Sequence, residues 1–545
     1  MEIYLDANAT TAVYPPACEA ALAVMADGFG NPSSIHGSGL RARAVVDQAR
    51  ASARRVLGAP TGQLFFTSGA TEGIQTSVLS ALCELRRRRD AGESTAQALL
   101  YGATEHKAVP QALQHWNALL GLNLPLLAIP VDGAGRHDLA WLREHAPTAG
   151  LVCTMAANNE TGVISDLDAI ADILRGSPAL WLVDGVQALG KLPLKLIERG
   201  IDYAPFSGHK FYAPKGIGLL YVRDGAPFTP LLTGGGQESG LRGGTENIAG
   251  IAALGVVLRA WEAGDVFQTA AALATHRAQL AQALRAAFPG LVFNAPDALS
   301  LPTTLNFSVR GLSSKLLLDL FDAADLRVSG GSACSASKAA PSYVLQAMDL
   351  PAWQTETAVR LSFGALDSPE FIAAACARLR RCGEVLRVRG LGSEAPAPTH
   401  ASPAAPAASA STWALADDLA ESVDVVLEQS AALALLQGQA GGLWVDVREA
   451  YESDVQVRRG LLANAQAVPL SGLLSAMPQW LELAPQVPVV FYCRSGNRSA
   501  QAARALRRLG HASAWSLAGG LAMWREPAPL SAGAALPQCL PGSSR

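Results

Sequence analysis

The chain has no uninterrupted apolar run of about 18 residues, the length that a membrane-spanning helix needs. Its first six residues form neither the charged region nor the apolar region of a secretory signal peptide. Only 16% of its 545 residues are charged and the formal net charge is −3, so it has no basic surplus for nucleic acid. We therefore expect a cytoplasmic globular protein that binds neither a membrane nor nucleic acid directly.

Cysteine is also scarce. The 8 cysteines include no Cys-x-x-Cys pair and no His/Cys spacing typical of a metal site. We therefore expect no disulfide framework and no metal, and we expect the thiols to be buried or catalytic. At 545 residues the chain is too long for one hydrophobic core, which predicts about two to four domains.

Composition divides the chain at residues 392–412, a stretch rich in proline, alanine and serine that is typical of an extended linker, and the predicted linker covers residues 392–421. Before it, buried-strand patterns alternate with helical patterns, which predicts a mostly parallel α/β sheet. After it, a second and smaller α/β unit is predicted. The predicted strands are residues 64–67, 98–101, 151–154, 180–183 and 218–222 before the linker, and 425–427 and 443–445 after it.

The most informative segment is Ser207-Gly208-His209-Lys210. Enzymes that use pyridoxal phosphate (PLP) often present their Schiff-base lysine in this way, because the hydroxyl, imidazole and backbone N–H groups just before the lysine can hold the phosphate. A lysine in a glycine-rich turn is more often a solvated surface residue. The prediction that Lys210 binds PLP therefore depends on further motifs.

Other segments meet the remaining needs of this cofactor. Ala70 and Thr71 follow a predicted strand and open a helical pattern, where free N–H groups suit a phosphate. Asp184 ends another predicted strand, where a carboxylate can pair with the protonated pyridine nitrogen, and Gln187 can reach the ring oxygen. His106 also follows a strand and is suited to stacking and acid/base work, although an isolated histidine is more often an ordinary packed side chain.

Motifs in matching order resemble the cysteine desulfurases, which belong to the class V aminotransferase family of fold type I PLP enzymes. The resemblance runs from residue 1 to about residue 389. It is carried by Asn31-Pro32-Ser33-Ser34-Ile35-His36, Thr104-Glu105-His106, Asn158-Asn159-Glu160-Thr161-Gly162, Asp184-Gly185-Val186-Gln187 and the Lys210 segment.

This resemblance implies a role for each candidate residue. Lys210 would bear the cofactor, Asp184 and Gln187 would contact its ring, and His106 would stack on it. Asn159 and Arg360 would receive the substrate, L-cysteine, with Arg360 as a bidentate clamp for its carboxylate. The residues implied at the phosphate are Ala70, Thr71, Ser207, His209 and, from the second subunit of a homodimer, Thr245.

A nucleophilic thiol separates a desulfurase from a transaminase, and Cys334 supplies a candidate. Small residues and glycines surround it in residues 329–337, which favours a mobile loop over the usual buried free cysteine. The segment resembles the longer loop of the NifS/IscS type, called group I. That resemblance implies that Lys210 removes the Cα proton and that the Cys334 thiolate takes the substrate sulfur as a persulfide, releasing L-alanine. A selenocysteine lyase would use the same residues and stays an alternative.

The second unit has its own reactive thiol, Cys493, which follows the apolar run 487–492 and opens a loop at a predicted helix N-terminus. The helix dipole and nearby arginines would favour a thiolate. With Val445-Asp446-Val447-Arg448-Glu449 upstream, the segment resembles a single-domain rhodanese over residues 422–525, which implies that Cys493 carries sulfur. The candidate loop is Cys493, Arg494, Ser495, Gly496, Asn497 and Arg498.

These expectations define the predicted organisation. The desulfurase occupies residues 1–391, with a large domain at about 15–255 and a small domain at about 1–14 and 256–391. The linker, 392–421, is followed by a rhodanese-like domain, 422–530, and a tail, 531–545. Sulfur would pass from Cys334 to Cys493 and on to an iron–sulfur scaffold or a tRNA-thiolation protein. Alternatively, the rhodanese-like domain serves only as a docking module.

Overall fold

The computed structural model of the chain describes residues 2–93, 96–330, 341–391, 425–438, 442–456 and 465–525. The chain divides into two compact units, Met1–Ala395 and Pro396–Arg545. No helix within these ranges is both long and apolar enough to cross a membrane. The predicted linker and C-terminal tail lie outside the described residues, and the predicted domain boundaries stay predictions.

A mixed sheet occupies the centre of the first unit. In chain order the strands of this unit are β1 Ile3–Tyr4, β2 Gln63–Thr67, β3 Ala98–Gly102, β4 Leu126–Ile129, β5 Ala149–Met155, β6 Leu180–Asp184, β7 Tyr203–Ser207, β8 Gly218–Val222, β9 Leu291–Phe293, β10 Thr304–Val309, β11 Leu326–Arg327, β12 Ser329–Gly330 and β13 Val359–Ser362. Within the described residues the central sheet has the order β2-β8-β7-β6-β5-β3-β4.

The prediction of a mostly parallel sheet is confirmed, and the predicted strands of this unit all form. Strands β4 to β7 and β3 run parallel, whereas β8 is antiparallel to both of its neighbours, which the sequence did not predict. Strands β5 to β8 are buried along their whole length. This burial explains their continuous apolar sequences, because helices cover both faces of such a sheet.

Helices surround this sheet and a smaller one. They are α1 Pro15–Ala26, α2 Gly37–Leu57, α3 Ala70–Asp90, α4 Ala108–Leu119, α5 Leu139–His145, α6 Leu167–Leu174, α7 Ile248–Ala263, α8 Ala270–Ala287, α9 Ser314–Ala323, α10 Tyr343–Ala347, α11 Ala352–Thr357 and α12 Pro369–Val388. The smaller sheet is antiparallel in the order β12-β13-β10-β9, and β1 pairs separately with β11.

The second unit is a smaller parallel sheet with its own core. Its strands are β14 Val426–Leu427, β15 Leu443–Asp446, β16 Gln466–Ala467, β17 Val489–Tyr492 and β18 Ala514–Leu517, and within the described residues their order is β14-β18-β17-β15-β16. Its helices are α13 Gln429–Gly438, α14 Ala450–Val455, α15 Leu473–Leu481, α16 Asn497–Arg508 and α17 Gly520–Met523. The buried Trp480 ring packs edge-on against Phe491, with centroids 5.2 Å apart. The prediction of a second α/β unit is confirmed.

Candidate active site

The candidate site of the first unit lies at the carboxyl ends of its parallel strands. Strands β3, β5 and β6 lead into the segments that carry His106, Asn159 and Gln187, while β7 leads into a short 3-10 turn, Gly208–Lys210. Carboxyl ends of parallel strands meet at one edge of a sheet, which is where ligands bind in open α/β folds. The topology therefore brings together residues that are far apart in sequence.

Lys210 and Gln187 converge on one backbone oxygen. The Nζ atom of Lys210 donates to the carbonyl oxygens of Asn8, at 2.5 Å, and Ala9, at 2.7 Å. The Nε2 atom of Gln187 donates to the same Asn8 oxygen at 3.1 Å. The amine predicted to bind the cofactor therefore lies beside the amide predicted to contact its ring.

Asp184 and His106 share an electrostatic environment with Lys210. Asp184 is buried, and its Oδ1 accepts a hydrogen bond from the backbone N–H of Val186 at 2.9 Å. Burial raises the pKa of Asp184, while that hydrogen bond and the charges of His106 and Lys210 oppose the rise. Burial also lowers the pKa of His106, whose Nδ1 accepts a hydrogen bond from the N–H of Ala108 at 3.2 Å. A neutral His106 therefore carries its proton on Nε2.

The predicted phosphate ligands lie around the start of α3. A Cβ atom on Gly69, just before Ala70 and Thr71, would lie 3.5 Å from the Oγ of Ser207. This loop packs so closely that a Cβ on Gly218 would lie 2.6 Å from the Gly69 Cα. The N–H groups of a helix N-terminus and a nearby hydroxyl suit a phosphate.

His209 follows this cradle and is half-buried. Burial, then the charges of Lys210 and Lys215, lowers its pKa to about 4, so the ring is a neutral hydrogen-bonding group near pH 7. Its Nδ1 lies 3.2 Å from the Oγ1 of Thr10. Thr245 is exposed, and its role stays a prediction because the expected contact is with the phosphate of the second subunit.

Arg360 and Asn159 are brought together as predicted for a carboxylate site. The buried guanidinium donates from Nη1 to the Asn159 carbonyl oxygen at 2.9 Å. Its Nη2 donates to Asp6 Oδ1 at 2.6 Å and to Ser329 Oγ at 2.7 Å. Within the described residues, Arg360 Nε and Asn159 Oδ1 are buried without a hydrogen-bond partner. A donor and an acceptor thus remain for a ligand that carries both a carboxylate and an amine.

Cys334 lies outside the described residues, but the segments on either side of it end at the site. Ser329, in β12, bonds to Arg360, and three residues separate Gly330 from Cys334. On the other side, the Ser342 hydroxyl donates to Glu160 Oε2 at 2.6 Å. Glu160 adjoins Asn159 in the chain.

Sequence reasoning missed several residues of this site. Asp6 binds Arg360, and the carbonyl of Asn8 binds both Lys210 and Gln187. Lys191 donates from Nζ to the Oε1 of Gln187 at 3.0 Å. Backbone acceptors cannot be identified from side-chain patterns. Lys191 follows Gln187 by four residues, however, and this spacing brings two side chains together on a helical turn, so their contact could have been predicted.

In the second unit, Cys493 follows β17 and is buried, with 1% of its surface exposed. Its Sγ accepts hydrogen bonds from the N–H of Gly496 at 3.2 Å and the hydroxyl of Ser499 at 3.5 Å. A Cβ on Gly520 would lie 2.4 Å from the Cys493 carbonyl oxygen, so the strand end and α17 approach closely there. N–H and O–H donors aimed at sulfur suit an anionic sulfur adduct.

Arg498 is paired with a carboxylate, so it brings less positive charge to this loop than the sequence predicts. It donates from Nη1 and Nη2 to the two carboxylate oxygens of Glu452 at 2.7 and 2.8 Å. Glu452 also accepts the backbone N–H of Glu449 and so caps α14. The remaining loop residues, Arg494, Ser495 and Asn497, stay predicted binding groups.

Comparisons with known proteins agree with this architecture. The model of the class-V aminotransferase family matches residues 3–373, and the model of the rhodanese-like domain matches residues 429–527. A cysteine desulfurase of Cereibacter sphaeroides is 37% identical over 362 residues, which covers 66% of this chain and 90% of that relative. A solved NifS-like protein has 30% identity and a TM-score of 0.62, covering 71% of this chain and all of that one. SspA, solved in complex with cysteine, has 26% identity and a TM-score of 0.58, covering 68% of this chain and all of SspA.

Proposed function

The chain belongs to the class-V aminotransferase family, among its cysteine desulfurases, and carries a rhodanese-like domain. From that premise we propose that it removes sulfur from L-cysteine to give L-alanine, using PLP bound at Lys210. The observation that carries this proposal is the convergence of Lys210, Gln187, Asp184 and His106 at one end of the sheet. The complex of the similar SspA with cysteine supports the choice of substrate.

The residues of the site fit this cofactor. PLP supplies an electron sink for the α-carbon of a bound amino acid. Asp184 would hold a proton at the ring nitrogen, and Gln187 would donate to the ring oxygen. The N–H groups of Ala70 and Thr71, with Ser207 and His209, would bind the phosphate.

Substrate binding falls to Arg360 and Asn159. We propose that the substrate carboxylate takes the unpartnered Nε of Arg360 and shares Nη2 with Asp6. The orphaned Oδ1 of Asn159 would accept an N–H from the ligand. Lys210 would then remove the proton from Cα, because a lysine amine in its neutral form can accept a proton.

Sulfur transfer falls to Cys334. Its thiolate would attack the substrate sulfur, so that an S–S bond forms, the Cβ–S bond breaks, and protons complete L-alanine. The attachment of Ser329 to Arg360 and of Ser342 to Glu160 supports a position near the substrate. A selenocysteine lyase remains the second candidate, and rates with L-cysteine and L-selenocysteine at equal concentrations distinguish the two.

Exposed apolar side chains support the proposal of a homodimer. Four large apolar side chains that lie close together in the chain are each between 63% and 93% exposed: Leu22, Met25, Phe29 and Ile35. Apolar surface of this kind is typical of an interface. If Thr245 reaches the second subunit, a mixture of Lys210→Ala and Thr245→Ala chains should regain activity in hybrid dimers, because one of the two sites is then intact.

We further propose that Cys334 passes its sulfur to Cys493. The Cys493 thiolate would attack the outer persulfide sulfur, which frees the Cys334 thiolate and forms a Cys493 persulfide. A flexible linker of about thirty residues has a root-mean-square reach on the order of 30 Å, which gives an effective concentration near millimolar. The final acceptor would be an iron–sulfur scaffold or a tRNA-thiolation protein.

Mass spectrometry of the cofactor-loaded full chain tests both steps. After a short incubation with L-cysteine and thiol trapping, extra sulfur is expected on Cys334 and Cys493, and both signals should vanish in Cys334→Ala. Cys18→Ala, at an exposed thiol, is the matched control. Persulfide on Cys334 alone would contradict the relay and favour a docking role for the rhodanese-like domain. Absence of alanine would contradict the desulfurase itself.

A further inference from the structure

Lys191 is a half-buried lysine that the proposed reaction does not use. It lies in the turn after β6, and its Nζ donates to Gln187 Oε1 at 3.0 Å. Burial and then the charges of Lys210 and Arg360 lower its pKa to about 7. Both of the charges that lower this pKa are therefore positive. Removing an ammonium from water is costly unless it is hydrogen-bonded, so its contact with Gln187 is expected to have a role.

The contact with Lys191 decides which way the Gln187 carboxamide points. Gln187 is 3% exposed, and its two polar atoms meet different partners: Nε2 donates to the Asn8 carbonyl, whereas Oε1 accepts from Lys191. In the reversed orientation, oxygen would face the Asn8 oxygen and N–H would face the ammonium. Both contacts would then be repulsive, and a buried polar group without a partner costs about 1–3 kcal/mol.

The same orientation leaves one N–H of Gln187 for a ligand. A carboxamide nitrogen carries two hydrogens, and the Asn8 carbonyl takes one of them. Because Lys210 donates to that same carbonyl, the amide nitrogen and the lysine amine are neighbours, and the second hydrogen remains for a group bound at Lys210.

We propose that Lys191 is a positioning residue, which fixes the carboxamide of Gln187 so that it donates an N–H to the ring oxygen of PLP bound at Lys210. This inference rests on the proposed function, because the accepting oxygen belongs to the cofactor. Lys191 also adds a positive charge near Lys210, which favours the loss of a proton there.

The test is a pH titration of the absorbance of the cofactor bound to the full chain. Lys191→Met keeps the length of the side chain but removes its donor and charge. The pKa of the bound cofactor, as measured by its absorbance, should then rise on the order of one unit, because the ring oxygen loses its hydrogen bond. Gln187→Ala should give a similar rise. The double variant should rise no further than the larger single one, because residues that act through each other are not additive.

Two other variants separate orientation from charge and from general damage. Lys191→Gln keeps an N–H donor without the charge and should titrate closer to the unmodified protein than Lys191→Met does. Lys195→Met makes the same change at an exposed lysine that lies 4.0 Å from Glu198, and it should titrate like the unmodified protein.

The proposal is overturned if Lys191→Met titrates like the unmodified protein, or if its shift and that of Gln187→Ala add in the double variant. If Lys191→Met does not fold, Lys191→Ala is read by the same criteria. A failure of the proposed function looks different, because the unmodified chain and Lys195→Met would then show no absorbance from bound cofactor.

Discussion

The ion pair between Glu452 and Arg498 allows a sharp prediction about the rhodanese-like unit. The Glu452 side chain is 1% exposed and that of Arg498 is 15% exposed, and two hydrogen bonds join them. Glu452→Gln keeps the volume of the side chain but turns an amide N–H toward the guanidinium and removes the carboxylate that pairs with it. Removing one partner of a buried pair costs about 3–5 kcal/mol, and the partial exposure of Arg498 places the expected loss near the lower limit, about 3 kcal/mol.

Hydrogen exchange measured by mass spectrometry localises this loss within the full chain. A loss of about 3 kcal/mol corresponds to roughly a hundredfold faster exchange of amides that exchange by opening of this unit. The acceleration is expected in peptides of β17 and α16, whereas peptides of the first unit serve as an internal control. Glu482→Gln, at an exposed carboxylate, should leave exchange unchanged. Acceleration of less than about threefold in Glu452→Gln would refute the reasoning.

Three further changes test the first unit. Asp184→Asn removes the carboxylate expected at the ring nitrogen, so steady-state turnover of L-cysteine should fall on the order of 10²–10⁴-fold while cofactor absorbance persists. Burial raises the pKa of Glu160 from 4.5 to about 7, so between these pH values the folded state binds more protons than the unfolded state. Stability should therefore fall as the pH rises from about 4.5 to about 7. Glu160→Gln should remove this dependence, which thermal unfolding at several pH values measures. Gly218→Ala forces the Gly69 loop outward and should weaken PLP binding at least about tenfold in equilibrium titration. Gly133→Ala is the control, because its Cβ would lie 3.7 Å from the nearest neighbouring atom, and it should leave PLP binding unchanged.

The strands and the family could be predicted from the sequence because each depends on local pattern. Continuous apolar runs identified β5, β6 and β8, since strands covered on both faces have no polar side. The family matches confirm both resemblances, to cysteine desulfurases and to rhodaneses. The direction of β8 was not predicted, because an apolar run has the same pattern whether the strand is parallel or antiparallel to its neighbours.

The partners of the site residues were harder to predict, because they are set by packing between distant segments. Arg360 was expected to be open to a substrate carboxylate, yet it is bound to Asp6, more than three hundred residues away. Arg498 was expected to add charge beside Cys493, yet Glu452 balances that charge. In both places the sequence identifies the cation, but only the fold shows the anion that accompanies it.

The N-terminal segment explains why so much of the first site escapes sequence reasoning. Its backbone carbonyls at Asn8 and Ala9 receive Lys210, and Thr11 binds the turn that carries the lysine, through its N–H to the His209 carbonyl at 2.8 Å. The same segment is joined to the smaller sheet, since the Asn8 N–H donates to Ser362 Oγ at 2.9 Å. A few residues thus couple the lysine turn to the sheet that holds Arg360. The spacing between the cofactor lysine and the carboxylate clamp therefore depends on main-chain contacts, which no pattern of side chains records.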